Sequence, residues 1–203
     1  MNKYERQSIK KYGKIAKNYD GTFDGKFTAK FKETMLEFCN VADGDKILDV
    51  GCGNGKLIDA ISRKADIQAY GIDISHGMIE ECKARYKGIN FAVSNAETLD
   101  FKNAELDTIT ICCVLHHLSS AQNFIKEAHR VLKPCGTLII GEPWYPIVVK
   151  QFADLVVLPM LRMGDNKLFG HKKLKQLVID GGFEITQIYK KGSMQIIKAR
   201  KIT

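Results

Sequence analysis

The stretch ILDVGCGNGKL at residues 47 to 57 runs apolar residues into an acid and then sets glycines at alternate positions, Gly51, Gly53 and Gly55. A backbone bared in this rhythm can take positive φ and let another group pack directly on main-chain N–H and C=O groups. Its flanks fix the architecture. KILDV (46 to 50) has the length and apolar content of a short buried strand, and GKLIDAISRKA (55 to 65) sets Leu57, Ile58 and Ile61 on one helical face. Strand, bare turn and helix together open an α/β chain.

The unit recurs along the sequence. IQAYGIDI (67 to 74) reads as a second strand, Ser75 as an N-cap and HGMIEECKARY (76 to 86) as the next helix. INFAVS (89 to 94) is a third strand and the β-branched run LDTITICCVL (106 to 115) a fourth, central one. SSAQNFIKEAHRVL (119 to 132) reads as a helix, GTLIIGEP (136 to 143) as a fifth strand, and HKKLKQLVIDGG (171 to 182) as a helix ending on two glycines. FEITQIYKK and SMQIIKARK close the chain as a strand pair. At the front, GKFTAKFKETMLEFC (25 to 39) spaces Phe27, Phe31, Leu36 and Phe38 as an amphipathic helix behind a polar and aromatic arm. Alternating strands and helices with a closing pair predict a mostly parallel seven-stranded sheet, covered on both faces, with an antiparallel C-terminal pair.

With no repeat or linker, residues 1–203 read as one domain: a helical arm over 1–40, a core over 45–143, an insertion over 144–170 and a closing helix and strand pair over 171–203. An apolar share of 45% suffices to bury a core without staples, and the six cysteines include no C-x-x-C pair, so no metal is expected. The start, MNKYERQSIKKYGK, has no apolar core or cleavage site, which predicts a cytoplasmic protein with reduced thiols. The apolar stretch YPIVVKQFADLVVLPMLRM is broken by Lys150, Asp154 and two prolines, so no transmembrane segment is expected. The net charge of +8 is scattered in groups no longer than KARK, which disfavours nucleic acid as a partner.

Three ligand classes use a glycine turn at a strand end. A phosphate loop fails twice: Val50 stands where its first glycine belongs and Leu57 where its magnesium-binding hydroxyl should be. In a dinucleotide turn the third glycine would fall at Lys56, one place beyond Gly55. What remains is D-x-G-x-G-x-G from Asp49, with Asp73 at the end of the second strand, where a carboxylate can accept hydrogen bonds from ribose hydroxyls. This turn resembles motif I of the class I S-adenosylmethionine-dependent methyltransferases. SNAETLDF (94 to 101) looks like their adenine loop, LDTITICCVLHHL (106 to 118) like their fourth-strand motif, and EAHRVLKPCGTLIIGEP (127 to 143) like the segment leading into the fifth strand. The arm segment YGKIAKNYD (12 to 20) resembles that of the ubiquinone and menaquinone C-methyltransferase branch. The resemblance implies a Rossmann-like fold, S-adenosylmethionine as cofactor and direct methyl transfer to a small-molecule substrate.

It also implies a cofactor-binding set: Asp49, Gly51, Cys52, Gly53, Gly55, Asp73, Ile74, Asn95, Ala96, Cys113 and Tyr19. Each has a plainer reading. The glycines could serve only a tight turn, Asp49 could cap the following helix, and Ile74 could be strand-end packing. Asn95 stands where the family often has an acid, and its amide oxygen can still accept a hydrogen bond. Cys135 replaces a glycine of the family in LKPCG, a change expected to matter only to turn geometry. Cys112 and Cys113 read as core strand residues, and Tyr12 and Tyr19 either fold over the methionine portion or pack between helices.

Of the pair after the fourth strand, His116 is the candidate general base or substrate-orienting group, with a satisfied loop histidine as the alternative. Pro134-Cys135 precedes the fifth strand instead of following the fourth, which argues against a cysteine nucleophile. The Trp144 to Met163 segment, with Tyr145 and Phe152, is expected to wall an apolar or aromatic acceptor; packing on the sheet or a homodimer contact are the alternatives. A module that binds the cofactor without turnover, and an RNA or protein methyltransferase, are the rival functions. A nicotinamide oxidoreductase is a third.

Overall fold

A computed structural model describes residues 3–144 and 169–202. Its seven strands form one sheet in the order β3-β2-β1-β4-β5-β7-β6. These are β1 (Lys46–Val50), β2 (Gln68–Asp73), β3 (Ile89–Val93), β4 (Leu106–Cys112), β5 (Leu132–Pro143), β6 (Phe183–Lys191) and β7 (Met194–Lys201). β1 pairs in parallel with β2 and β4, β2 with β3 and β4 with β5, while β7 runs antiparallel between β5 and β6. The expected α/β architecture, Rossmann-like with its antiparallel closing pair, is the one observed.

Among the described residues six α-helices accompany the sheet: α1 (Lys3–Ile15), α2 (Phe23–Phe38), α3 (Lys56–Ser62), α4 (His76–Arg85), α5 (Ala121–Val131) and α6 (His171–Asp180). Side chains alternate across each strand, so neighbours in sequence enter opposite cores. Leu48, Ile109 and Ile140 pack on one face with Phe124 and Ile125 of α5 and Leu174 and Val178 of α6. Ile47, Ile139 and Ile196 pack on the other face with Phe31 and Met35 of α2, Leu57 and Ile61 of α3, and Ile79 of α4. Local capping chemistry sets three helix starts: the Thr22, Ser75 and Ser120 hydroxyls accept from Gly25 N–H, Met78 N–H and Asn123 N–H.

Strand order reverses between β1 and β4, which opens a crevice beyond their carboxyl ends. There the structure corrects two expectations. β4 stops at Cys112, short of the predicted 115, because Cys113 takes φ 57° and Leu115–His117 turn into a 3-10 helix. β5 begins at Leu132, four residues before the predicted start, and passes through Cys135 with φ 63°, a left-handed value that fits the glycine usual there. Trp144 donates its N–H to Ser193 O and its ring lies 3.4 Å from Lys190 Nζ, whereas Tyr145, Phe152 and the rest of the expected wall lie outside the described residues. Among the described residues no helix is long and apolar enough to cross a membrane.

Candidate functional site

The glycine turn bends as the sequence requires, with φ of 64°, 53° and 74° at Gly51, Gly53 and Gly55, but the three positions do different work. A Cβ on Gly51 would drive into the Val114 side chain, and one on Gly55 would stand 2.8 Å from the Tyr86 ring. Those two glycines let neighbouring elements close in. At Gly53 a Cβ would meet nothing within 4 Å, so the space over this residue is open to a ligand.

Two adjoining cavities of about 80 and 60 Å³ flank the turn and share Tyr12, Gly51, Asp73, Val114 and His117. The first is lined by Val50, Ile72, Ile74, Asn95, Ala96 and Leu118, an apolar slot with one amide. The second is lined by Tyr19, Thr28, Lys32, Gly53, Met78 and Cys113, and it carries the cation. Asp73 sits where they meet. Its Oδ2 accepts Gly53 N–H at 3.0 Å and its Oδ1 accepts Ser75 N–H at 2.8 Å, which fixes the carboxylate with lone pairs left to accept more. Burial raises its pKa, opposed by those two donors and then by Lys32 and His117.

Eight of the twelve sequence-predicted residues therefore line the paired cavities: Tyr19, Gly51, Gly53, Asp73, Ile74, Asn95, Ala96 and Cys113. The Asn95 amide oxygen accepts Glu97 N–H at 2.9 Å, and Tyr19 Oη is 3.1 Å from Thr28 Oγ1. Burial pushes the Tyr19 phenol up, so it stays protonated as a donor. The other four stand apart. Asp49 is buried beneath the turn, where Thr110 donates to its Oδ1 at 2.6 Å. It caps nothing, since the N-cap of α3 is Gly55 and no side chain bonds there. Its pKa is pushed up to about 6 by burial, against the Thr110 hydrogen bond and the Lys32 charge. Cys52 turns its side chain into the core and reaches the turn only through the main chain, donating its N–H to Ile72 O. Gly55 serves packing.

His116, the candidate general base or substrate-orienting group, stands apart from these cavities: its ring is buried with Nδ1 2.6 Å from Glu142 Oε2, and it borders a different cavity between α5 and α6. The neighbour His117 lines both cofactor-side cavities, with Nε2 3.5 Å from Tyr12 Oη. Lys32 went unmarked by any motif. Its Nζ donates to Asn54 Oδ1 at 2.7 Å, and Asn54 Nδ2 donates in turn to Asp20 Oδ1 at 2.6 Å. The amphipathic pattern of α2 places Lys32 beside the buried Phe31, but only the tertiary fold brings it 22 residues along to the turn.

The arrangement suits a nucleoside joined to a charged amino-acid end. An apolar slot with an amide lies on one side, a carboxylate and bare main chain in the middle, and a lysine with two hydroxyls on the other.

Comparison with known proteins agrees with this chemistry. A family described as "Methyltransferase domain" matches residues 48–140. An O-methyltransferase, rstn1, of Aspergillus nomiae is 30% identical over 172 residues, covering 79% of this chain and 73% of that protein. A demethylmenaquinone methyltransferase of Symbiobacterium thermophilum is 34% identical over 146 residues, covering 66% and 58% respectively. The chain thus spans about half to three quarters of the length of the curated relatives it matches. In fold it is similar to a putative methyltransferase from Bacillus halodurans, with a TM-score of 0.75, 15% identity and 85% and 99% of the two chains covered.

Proposed function

The chain belongs to the class I S-adenosylmethionine-dependent methyltransferases, and on that premise we propose that it transfers the methyl group to a small apolar or aromatic acceptor, quinone-like or phenolic in character. The observation that carries this reading is the convergence of the open Gly53 main chain, the Asp73 carboxylate and the Lys32 ammonium at one cavity beyond the sheet. S-adenosylmethionine, when bound, supplies a methyl carbon that is already electrophilic, so no covalent enzyme intermediate is required.

The residues of the chain hold and orient. Asp73 would accept from the ribose hydroxyls, Ile72, Ile74 and Ala96 would flank the adenine and Asn95 would offer its amide. Lys32, beside Tyr19 and Thr28, would answer the carboxylate of the amino-acid end. Asp49, buried under the turn, would add negative charge on the side of the cationic group. Near-attack alignment of this kind can supply about 7 to 11 kcal/mol of the barrier. The names of the two curated relatives, one a demethylmenaquinone methyltransferase and one an O-methyltransferase, support a small lipophilic acceptor.

The direct test is release of S-adenosylhomocysteine when purified protein and S-adenosylmethionine are offered quinols and phenols. Turnover with these and none with oligonucleotides is the expected result. Binding of the cofactor with no turnover on any of them would favour a non-catalytic module.

A further inference from the structure

Asn54 stands between Gly53 and Gly55 with a buried side chain that joins three elements. Its Nδ2 donates to Asp20 Oδ1 of the arm at 2.6 Å. Its Oδ1 accepts Lys32 Nζ of α2 at 2.7 Å and, at 3.4 Å, the Lys56 N–H that opens α3. A carboxylate can only accept, so Asp20 requires the NH2 group and leaves the amide oxygen to the ammonium. Asp20 is itself held, with Lys56 Nζ 2.9 Å from its Oδ1 and an Arg85 nitrogen of α4 3.5 Å from its Oδ2. The amide therefore has one orientation, set by residues that line neither cofactor-side cavity.

Lys32 does line one of those cavities, with Tyr19, Thr28 and Gly53. Thr28 lies one turn earlier on α2, so the two side chains share a face of the helix. Among the described residues the ammonium has Asn54 Oδ1 as its one hydrogen-bond acceptor, which leaves two of its three N–H groups for a ligand. A lysine side chain is long and rich in rotamers, and one that is already fixed loses less freedom when a ligand arrives. Asn54 thus does in advance the ordering that a carboxylate ligand would otherwise have to impose.

We propose that Asn54, oriented by Asp20, is a positioning residue that holds the Lys32 ammonium at the cavity wall, and that this Asp20–Asn54–Lys32 chain selects ligands carrying a carboxylate at their amino-acid end. The proposal rests on the methyltransferase reading and on the part given there to Lys32. It deepens that reading, because preference for the whole cofactor over its bare nucleoside is set by two residues that line neither cavity. An amide oxygen suits the task better than a carboxylate would. It anchors the ammonium without neutralising it, so the full positive charge stays available to the ligand. The Asp20 charge lies one step farther along, beyond the amide, where Lys56 and Arg85 counter it.

S-adenosylhomocysteine and methylthioadenosine share the nucleoside and the thioether sulfur, and only the first has the carboxylate and amine, so calorimetric Kd values for the pair test the chain. Wild-type protein should bind S-adenosylhomocysteine at least about tenfold more tightly than methylthioadenosine. Asn54→Ala should weaken S-adenosylhomocysteine about tenfold and leave methylthioadenosine within about twofold, whereas a residue needed only for the shape of the turn would move both. In a Lys32→Met background Asn54→Ala should have no further effect on either compound, because it acts through the ammonium. Equal losses for the two compounds, an unchanged Kd for S-adenosylhomocysteine in Asn54→Ala, or a loss that persists in full in the Lys32→Met background overturns the proposal. So does wild-type protein that binds the two compounds equally. If Asn54→Ala does not fold, Asn54→Asp keeps the volume and decides: a carboxylate at that position neutralises the ammonium, so S-adenosylhomocysteine should lose at least as much affinity and methylthioadenosine none, and equal losses again overturn it. Wild-type protein that binds neither compound refutes the cofactor reading itself, and the proposal with it.

Discussion

Glycines that look equivalent in GCGNG diverge once their surroundings are seen. Gly51→Ala would put a methyl into Val114, so it should lower stability by well over the roughly 1 to 2 kcal/mol of left-handed strain alone. Gly53→Ala should cost about that strain and little more, because its Cβ meets open space, yet it should weaken S-adenosylmethionine binding more than it weakens the fold. Urea melts and calorimetry on the two variants separate these outcomes; equal effects on both would contradict the division. Asp49 gives a pH prediction. Its pKa is raised from 3.8 to about 6, so its neutral form is favoured on folding, and the stability it contributes is full below about pH 4 and lost as pH rises through about 6. That loss is about 3 kcal/mol. Asp49→Asn keeps an acceptor for Thr110 and removes the charge, so the gap in stability between variant and wild type should widen in the variant's favour from pH 4 to pH 7, as read by denaturant melts. A gap that stays constant with pH would contradict the buried-charge account. Both arguments need the tertiary surroundings, which is why the sequence marks these residues without ranking them.

At the scale of elements, the short-range signals were legible and the long-range ones were not. KILDV matches β1 residue for residue, and Ser75 caps α4 as expected, because buried strand patterning and capping are local. The end of β4 was not legible: the φ of 57° at Cys113 and the 3-10 turn after it decide which histidine faces which cavity, and nothing in the run TICCVLHHL marks that break. Lys32 escaped notice for a related reason, since a lysine on an amphipathic helix usually faces solvent. The arm carries a prediction of its own. Cavities of about 80 and 60 Å³ are small against the roughly 300 Å³ or more that ligand pockets commonly offer, and Ser8, Tyr12 and Tyr19 of the arm line them. The arm must therefore shift to admit the cofactor. Amide hydrogen exchange across residues 8 to 21 should change on adding S-adenosylhomocysteine, while α5 stays as it was. An arm indifferent to the ligand would count against its place in the site.

At the scale of the whole molecule, the strand order 3-2-1-4-5-7-6 ties these pieces together. It sets the carboxyl ends of β1 and β2 beside that of β4, so the bare turn, Asp73 and His117, far apart in sequence, meet at one crevice. The alternation of strand and helix made this architecture readable from residues alone, and four motifs in order made the ligand class readable. The separate surroundings of His116 and His117 were not, because they depend on which side chain of a local turn points which way. The most direct measurement is calorimetric titration of well-folded protein with S-adenosylhomocysteine, with NADH in parallel. The account predicts saturable one-site uptake of the former, a rise in melting temperature growing with its concentration, and no response to NADH. Folded protein that takes up neither S-adenosylhomocysteine nor S-adenosylmethionine, or that takes up NADH instead, would contradict it.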